Sequence, residues 1–262
     1  MGQRQSAEED VAQYLQGYPD LVDDPSLSLN EKFFKNLIPC QPDGLTLDQV
    51  HTQWNYDWLE EGHGYIQWLF PIREEGLNHL AHKLQPHEAR AILADEGCIR
   101  RFRMSYRMML DFYGIVLVDE ASGALERSTR CLERFQNLCL YSHNFLRITR
   151  ILKCLGELGH EHYKLPLIQF FIHEVFGTRA LIRCRHSLLN YWAPSLRVKA
   201  ERDAVAAQLE ELAVIEDLRV PSSALVGERA RRMSNLEEWT VPESRPPMSQ
   251  HVPEVLDGTY QA

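Results

Sequence analysis

Apolar residues recur at helical spacing along most of this chain, and this pattern constrains the fold more than any other feature of the sequence. A spacing of three and four residues places them on one face of a helix. Such faces include Leu47, Val50, Trp54, Trp58 and Leu59; Phe102, Tyr106, Met109, Leu110 and Tyr113; and Phe145, Ile148, Leu152 and Leu155. The pattern predicts an all-α, multi-helix bundle-like single domain with flexible N- and C-terminal tails.

The strand signal is confined to one short run. Ile115 to Val118 is a continuous apolar, β-branched stretch, and Glu-Ala-Ser-Gly follows it closely. This combination is typical of a strand ending in a turn. We therefore expect at most a short hairpin within the helical domain.

Composition and charge divide the chain into four parts. Residues 1–29 are an acidic lead, predicted to be mostly flexible with a short helix around Val11 to Leu15. Residues 30–194 are predicted to form the helical domain, and residues 195–218 form one long amphipathic helix. Residues 219–262 are rich in Pro, Ser and Arg, a composition typical of disorder.

Two local patterns predict further helices inside the domain. Thr46-x-x-Gln49 has the form of a capping box, so a helix is expected to begin there and to run to Gly62. The apolar spacing within residues 77–84 predicts another helix that ends before Pro86.

The charge distribution argues against nucleic acid as a partner. The net charge is −9 at pH 7, but residues 1–30 hold six acids and a single base, so the central domain is nearly neutral. A nucleic-acid binder needs a basic face that displaces counterions. The arginines at positions 100, 101, 103 and 107 are predicted to scatter around a helix axis. No nucleic-acid binding is expected.

Several features favour a soluble, intracellular protein. The first 30 residues lack the apolar run of a signal peptide, and no stretch approaches the ~18 apolar residues of a membrane span. Six widely spaced cysteines include no Cys-x-x-Cys pair, which favours reduced thiols packed as small hydrophobes. The cytoplasm, the nucleus or both are the expected compartments.

Two short motifs predict modification of the termini. Gly2 and Ser6 fit the N-myristoylation pattern, and a single acyl chain gives only reversible membrane association. Ser234 follows Arg231 and Arg232, the arrangement that a basophilic kinase recognises.

Histidine pairs offer weak candidates for metal binding. His79 and His82 would share a helix face if residues 77–84 were helical, with His87 beyond Pro86. His160 and His162 lie near two glutamates, but that spacing is unspecific. Exposed histidines are the favoured interpretation, and no metal or other cofactor is expected. The chain also lacks the Gly-x-Ser-x-Gly elbow and the common nucleotide-binding loops.

An aromatic-rich segment from Trp54 to Gly76 holds the densest unusual chemistry. Two interpretations remain open. In the favoured one, the rings form a core where two helices meet, Gln67 caps backbone groups and Arg73 pairs with an acid such as Glu60. In the other, the rings line a pocket for a small aromatic ligand or a peptide end. The candidate ligand-binding residues are Trp54, Glu60, His63, Tyr65, Gln67, Trp68 and Arg73.

Four blocks of sequence carry a resemblance to a known family. They are FFKNLIPCQPDG from Phe33, HGYIQWLFPIREEG from His63, the segment from Arg101 to Gly114, and YSHNFLRITRIL from Tyr141. These blocks lie in order between Phe33 and about Trp192. This part of the chain resembles the conserved domain of the opioid growth factor receptor family, which includes receptor-like paralogues.

The resemblance implies a function as well as a family. It implies a non-classical receptor for the enkephalin pentapeptide, unrelated to the seven-helix opioid receptors, that restrains cell proliferation. It also implies a location at the nuclear envelope and in the nucleus. No catalytic residue is implied, and the chain is not expected to be an enzyme.

Three hypotheses follow for the function. The first is a receptor-like module whose aromatic pocket takes a peptide with an N-terminal tyrosine, the acid Glu60 pairing with its ammonium group. The second is a helical scaffold, lipid-tethered through Gly2, that contacts protein partners through residues 195–218 or the C-terminal tail. The third and weakest is an enzyme with His63 as a general acid or base.

Overall fold

The computed structural model describes residues 6–219, with side chains up to residue 215. Within this range the chain forms twelve α-helices and one two-stranded sheet, which confirms the all-α prediction and the short hairpin. Short 3₁₀ and π-helical turns continue several of the later helices. The elements are α1 (Ala7–Leu15), α2 (Leu29–Phe34), α3 (Leu47–Gln53), α4 (Tyr56–Glu61), α5 (Tyr65–Leu69), α6 (Pro86–Leu93), α7 (Glu96–Phe112), β1 (Ile115–Asp119), β2 (Ala124–Arg127), α8 (Cys131–Leu140), α9 (His143–Glu157), α10 (Lys164–Ile172), α11 (Arg185–Ser187) and α12 (Lys199–Arg219).

The hairpin follows α7 directly. β1 and β2 pair antiparallel, with Ile115 opposite Arg127 and Leu117 opposite Leu125. Gly123 occupies the turn with φ +75°, a left-handed conformation that favours glycine. The inward side chains Ile115 and Leu117 are buried, so the hairpin closes one side of the helical core.

The core is built from large aromatic side chains. Trp68 of α5 packs edge-on against Phe33 of α2, with 5.4 Å between ring centroids, and Phe70 meets Phe102 of α7 at 6.0 Å. Further along, Trp192 packs against Phe171 of α10 at 4.6 Å. Because aromatic rings bury large areas and prefer such edge or tilted contacts, they stabilise the junctions between these helices.

The helix predicted from Thr46 to Gly62 is two helices. The expected start is confirmed, since Gln49 accepts the Thr46 N–H at 2.9 Å. The continuation is wrong, because Trp54 is extended and ends α3. The Asn55 side chain then accepts the Trp58 N–H at 2.8 Å and begins α4. Asparagine stabilises a helix start in this way, so α4 begins as a separate helix.

The helix predicted within residues 77–84 is absent, and that prediction is wrong. Leu77 is 89 % exposed and Leu80 is 54 % exposed, so they do not form a buried face. Asn78 explains the difference, because its side chain accepts the Leu80 N–H and donates to the backbone carbonyl of Gln41 at 2.7 Å. Such side-chain bonds compete with helix formation. His79 and His82 therefore do not share a helix face.

The short helix predicted around Val11 to Leu15 in the acidic lead is present and is longer than expected. Helix α1 spans Ala7–Leu15, and Tyr14 is fully buried. The Tyr14 hydroxyl donates to the carbonyl of Lys153, while Lys153 Nζ lies 2.8 Å from Asp10 and 2.6 Å from Glu74. Buried lysine requires such partners, and α1 supplies one of them.

The long C-terminal helix was predicted over residues 195–218. Helix α12 spans Lys199–Arg219, and its residues Val205 and Leu209 are buried in the core. These two buried residues pack α12 against the helical core. The predicted modification sites Gly2 and Ser234 lie outside the described residues, as does the tail predicted over 219–262 beyond Arg219.

Between residues 6 and 219, no single helix is long and apolar enough to cross a membrane. The segments Glu161–Gly177 and Ile182–Ser195 reach the required length and composition only as a pair, and they are bent by 118° at their junction.

The arginines of α7 are less scattered than the sequence predicted. Arg101 turns away and its Nε lies 2.8 Å from Asp48. The other three, at positions 100, 103 and 107, line one groove of about 620 Å³, because their spacing of three and four residues places them on one face. Glu120 lies 2.7 Å from Arg107 within this groove, so its charge is mixed.

The packing of α3 on α7 predicts a pH-dependent stability. His51 Nε2 lies 2.9 Å from Ser105 Oγ, and burial lowers the pKa of His51 to about 4 from its ordinary 6.5. The folded protein therefore favours neutral His51, whereas the unfolded chain takes up a proton near pH 6.5. The free energy of unfolding has its full value above pH 6.5 and decreases as the pH falls towards 4.

A His51→Gln variant, which keeps a polar side chain without the titration, tests this dependence. Between pH 7 and pH 4.5 we expect the wild-type free energy of unfolding to fall by about 2 kcal/mol more than that of the variant. Urea denaturation at several pH values measures the difference. Parallel pH curves for the two proteins would show that His51 is not held neutral.

Candidate functional site

Most of the aromatic segment lies in the core. Trp68 is 2 % exposed, and its Nε1 donates to the carbonyl of Gln41 at 3.0 Å. Tyr65 is fully buried, with its hydroxyl donating to the carbonyl of Leu59 at 2.7 Å. Trp54 is half-buried against Tyr56 at 5.8 Å. These rings therefore fill the helix junction.

Gln67 and Arg73 also differ from their expected roles. Gln67 is buried, and its Oε1 has no hydrogen-bond partner among the described residues, so it does not act there as a backbone cap. Arg73 pairs with an acid, as predicted, but that acid is Glu157, 3.2 Å away, and not Glu60. Arg73 also donates to the carbonyl of Gly17. The cause is the position of Arg73 beyond α5, next to the segment that follows α1.

Two of the predicted residues, Glu60 and His63, line a common cavity. The cavity has a volume of about 330 Å³ and is formed by α4, the connection after it, α8 and the start of α9. We call it the Glu60 cavity. Its lining residues are Tyr56, Asp57, Glu60, Glu61, His63, Arg134, Asn137, Tyr141 and His143.

Glu60 is held in place by α8 and α9. Its carboxylate accepts hydrogen bonds from Asn137 Nδ2 at 2.5 Å and from Asn144 Nδ2 at 3.2 Å, and it lies 2.7 Å from His143 Nε2. Burial alone would raise the pKa of Glu60, but these bonds outweigh it and hold the pKa below its usual value. Glu60 therefore remains a fixed negative charge at neutral pH.

Arg147 positions the end of α4 that carries Glu60. This buried side chain donates from Nη1 to the carbonyl of Leu59 at 2.7 Å and from Nη2 to the carbonyl of Gly62 at 2.6 Å. The last carbonyls of a helix have no partner within it, and a cation there interacts favourably with the negative end of the helix dipole. Arg147 thus serves as a side-chain cap for α4.

The rim of the cavity is more exposed and carries both charge and aromatic surface. Asp57, Glu61 and His63 are exposed, and Tyr141 is 43 % exposed. His63 Nδ1 lies 2.6 Å from the carbonyl of Glu61. Acids beside tyrosine rings suit a cationic group attached to an apolar body. Among the residues that the structure describes, no serine, threonine or cysteine lines this cavity beside His63.

Histidines elsewhere have local partners. His87 lies 2.5 Å from Asp23 and 2.8 Å from the carbonyl of Leu27, and the hydrogen bond with Asp23 raises the pKa of His87. His160 Nδ1 lies 2.5 Å from the carbonyl of Leu158, and its Nε2 accepts from Arg103. Across residues 6–219, no group of three or more potential metal ligands comes together.

The residues that hold Glu60 were not predicted from the sequence. His143, Asn144 and Arg147 lie within the block from Tyr141 to Leu152, and Asn137 lies on α8. A signal was present, because Asn144 and Arg147 fall near the apolar face of α9, where a polar residue needs a partner. The identity of that partner depends on the fold, since Glu60 is 84 residues away from Asn144 along the chain.

The family model and the similar proteins all point to one family. The family model described as the opioid growth factor receptor conserved region matches residues 23–212. The chain is 43% identical over 201 residues to opioid growth factor receptor-like protein 1 of Rattus norvegicus, a match that covers 75% of this chain and 43% of that protein. It is also similar to the opioid growth factor receptor of Mus musculus, with 44% identity over 200 residues, 75% of this chain and 32% of that protein.

The human relative shows the same relationship. The match to the opioid growth factor receptor of Homo sapiens has 42% identity over 204 residues, covering 75% of this chain and 30% of that protein. The matched part is therefore less than half of the length of these curated relatives. No solved structure matches the chain.

Proposed function

Because the chain belongs to the opioid growth factor receptor family, we propose that it is a peptide-binding protein whose Glu60 cavity takes the charged amino terminus of an enkephalin-type peptide. The proposal is of a binding protein and not of an enzyme. The observation that carries it is the pair of exposed acids, Asp57 and Glu61, that lines one cavity with the fixed carboxylate of Glu60.

Electrostatics and shape support this choice of ligand. Glu60 is largely occupied by its own hydrogen bonds, so Asp57 and Glu61 supply the accessible charge. The rings of Tyr56 and Tyr141 offer apolar surface for an aromatic side chain. A peptide that begins with tyrosine presents an ammonium group and an aromatic ring close together, which matches this combination. Trp54, Tyr65, Gln67, Trp68 and Arg73 support the surrounding helices in this proposal.

Isothermal titration calorimetry with Met-enkephalin tests the proposal. We expect the Asp57→Asn, Glu61→Gln double variant to bind at least tenfold more weakly, because two partly screened carboxylates contribute roughly 1 kcal/mol each to ammonium binding. Both changes are isosteric and exposed, so the fold is expected to persist. The matched control is Glu126→Gln with Glu211→Gln, which removes the same charge from exposed positions elsewhere.

The controls define the outcomes. Binding that falls in the cavity variant but not in the control variant supports the site. Equal affinity in all three proteins, or no heat of binding at millimolar peptide, contradicts it. A role in restraining proliferation and a location in the nucleus or perinuclear cytoplasm belong to the same proposal.

A second candidate function is a helical scaffold. Its support is an apolar groove of about 330 Å³ between α12 and the segment before it, lined by Leu189, Ala193, Pro194, Arg202, Ala206, Leu209, Glu210 and Ala213. A protein partner on the 195–218 helix would bind there. Partner capture that is lost with Ala206→Glu but kept with Asp57→Asn would favour the scaffold, and the intact mass after co-expression with an N-myristoyltransferase tests acylation of Gly2.

A further inference from the structure

Helix α1 occupies a groove of the helical domain in the way that a bound peptide would. It packs on residues 188–195, and its side chains Val11 and Tyr14 are buried. The Tyr14 hydroxyl donates to the carbonyl of Lys153 at 3.2 Å, and the Asp10 carboxylate lies 2.8 Å from Lys153 Nζ. Because Asp10 and Tyr14 are four residues apart, they lie on one face of α1. We call the surface that receives this face the α1 groove.

Three cations of the α1 groove surround the Tyr14 ring. The Nζ atoms of Lys153 and Lys164 lie 5.8 and 5.0 Å from the ring centroid, and the guanidinium carbon of Arg197 lies 4.4 Å from it. Lys164 Nζ also donates to the Tyr14 hydroxyl at 3.1 Å. Cations at this range are attracted to an aromatic ring, and they also attract a carboxylate. The groove therefore has the chemistry that recognises a tyrosine together with an acid.

The α1 groove and its occupant belong to different parts of the chain. Lys153, Lys164 and Arg197 lie within the family-matched residues 23–212, whereas α1 precedes that region. A helix of nine residues is marginal in water by itself, so α1 depends on the groove for its helical structure. Segments near a terminus also open more readily than the core of a domain. Opening of α1 would therefore expose the groove while the core stays folded.

We propose that the α1 groove is a binding site for a helical peptide with an acid followed, four residues later, by a tyrosine, and that α1 covers it as an internal ligand. A partner segment with this pattern displaces α1 and takes over its contacts with Lys153, Lys164 and Arg197. The site differs from the Glu60 cavity, since none of these three cations lines that cavity.

A fluorescent peptide with the sequence of residues 6–18 is the probe, and anisotropy measures its binding to the full-length protein. Val11→Ser combined with Tyr14→Ala weakens the internal competitor, so this opened variant is expected to bind the probe roughly tenfold or more tightly than wild type. A second probe, with asparagine and alanine in place of the aspartate and the first tyrosine, should not bind. The matched control is Val116→Ser with Leu132→Ala, which makes similar changes at exposed positions and should behave as wild type.

The outcomes decide between the occupants of the groove. Tighter binding of the first probe by the opened variant alone supports the site. Equal affinity of the opened variant and wild type, or of the two probes, overturns it. A wild-type dimer that dissociates in the opened variant, measured by light scattering, would make a second copy the occupant and overturn the internal ligand.

Amide hydrogen exchange of the wild-type protein decides the matter if the opened variant fails to fold. With an excess of unlabelled probe, the amides of α1 should exchange faster because the probe displaces them, while the amides of α9 keep their protection. Unchanged exchange in α1 at saturating probe would overturn the proposal.

Discussion

An Arg147→Met variant is expected to lose about 3 kcal/mol or more of its free energy of unfolding. The guanidinium of Arg147 bonds the carbonyls of Leu59 and Gly62 and the side chain of Asn144, at distances of 2.6 to 3.0 Å. Methionine matches much of the volume but donates to none of them, and each buried acceptor left unpaired costs about 1–3 kcal/mol. For a domain of this size, the melting temperature should fall by about 6–12 °C.

The same substitution should damage the Glu60 cavity. Without its cap, the last turn of α4 frays, and Glu60 loses its alignment with Asn144. Chemical denaturation measures the stability, and calorimetry with Met-enkephalin measures the site. Arg147→Lys, which retains the charge and one or two donors, is expected to lie between the wild type and Arg147→Met.

Arg100→Met is the matched control, because Arg100 is an exposed helical arginine with no hydrogen bond or ion pair in the described part of the chain. Its stability should stay within about 0.5 kcal/mol of the wild type. If Arg147→Met were as stable as Arg100→Met, the end of α4 would be held by something other than this guanidinium.

The helical content and the core could be predicted from the sequence because both depend on local spacing. The periodicity around Phe102 and Ile148 needs no knowledge of distant residues, and the two residues are buried as predicted. The capping bond between Gln49 and Thr46 also joins neighbours in sequence. In each case the physical cause lies within a few residues of its effect.

The departures come from contacts between distant residues. Asn78 bonds the carbonyls of Gln41 and Gly64, which lie 37 and 14 residues away, and these bonds replace the predicted helix. Glu60 finds its partners on α8 and α9. Periodicity cannot encode such pairings, so the sequence predicted Glu60 and His63 as candidates but not the cavity they share.

Helix α1 is a further case, because its docking depends on the absence of a side chain in α9. Gly156 lies against Tyr14, and a Cβ atom at Gly156 would come within 2.0 Å of the Tyr14 hydroxyl oxygen. That hydroxyl also accepts from Lys164 Nζ at 3.1 Å. The glycine therefore provides the space in which a buried tyrosine reaches a buried lysine.

A Gly156→Ala variant should consequently be destabilised by about 2–4 kcal/mol, although alanine in a helix interior is ordinarily favoured over glycine by about 1 kcal/mol. The added methyl group must displace Tyr14, which is fully buried, and break its bond with Lys164. Tyr14→Phe alone is expected to cost about 1–2 kcal/mol, because Lys164 keeps its contacts with Ser195 and Glu161.

The double variant separates the steric cause from a general loss of packing. Phenylalanine at position 14 lacks the oxygen that the new methyl group would meet, but the contact with Glu161 Oε2 at 2.9 Å remains. Gly156→Ala combined with Tyr14→Phe should therefore be within about 1 kcal/mol of Tyr14→Phe alone. Urea denaturation of the four proteins gives a coupling free energy, expected to be about 1–3 kcal/mol. Additive losses would mean that α1 does not depend on this contact, and amide hydrogen exchange in α1 would then be the same in wild type and Gly156→Ala. Rapid amide exchange confined to α1 in Gly156→Ala, with slow exchange recovered in the double variant, would identify Gly156 as the feature that lets the helix dock.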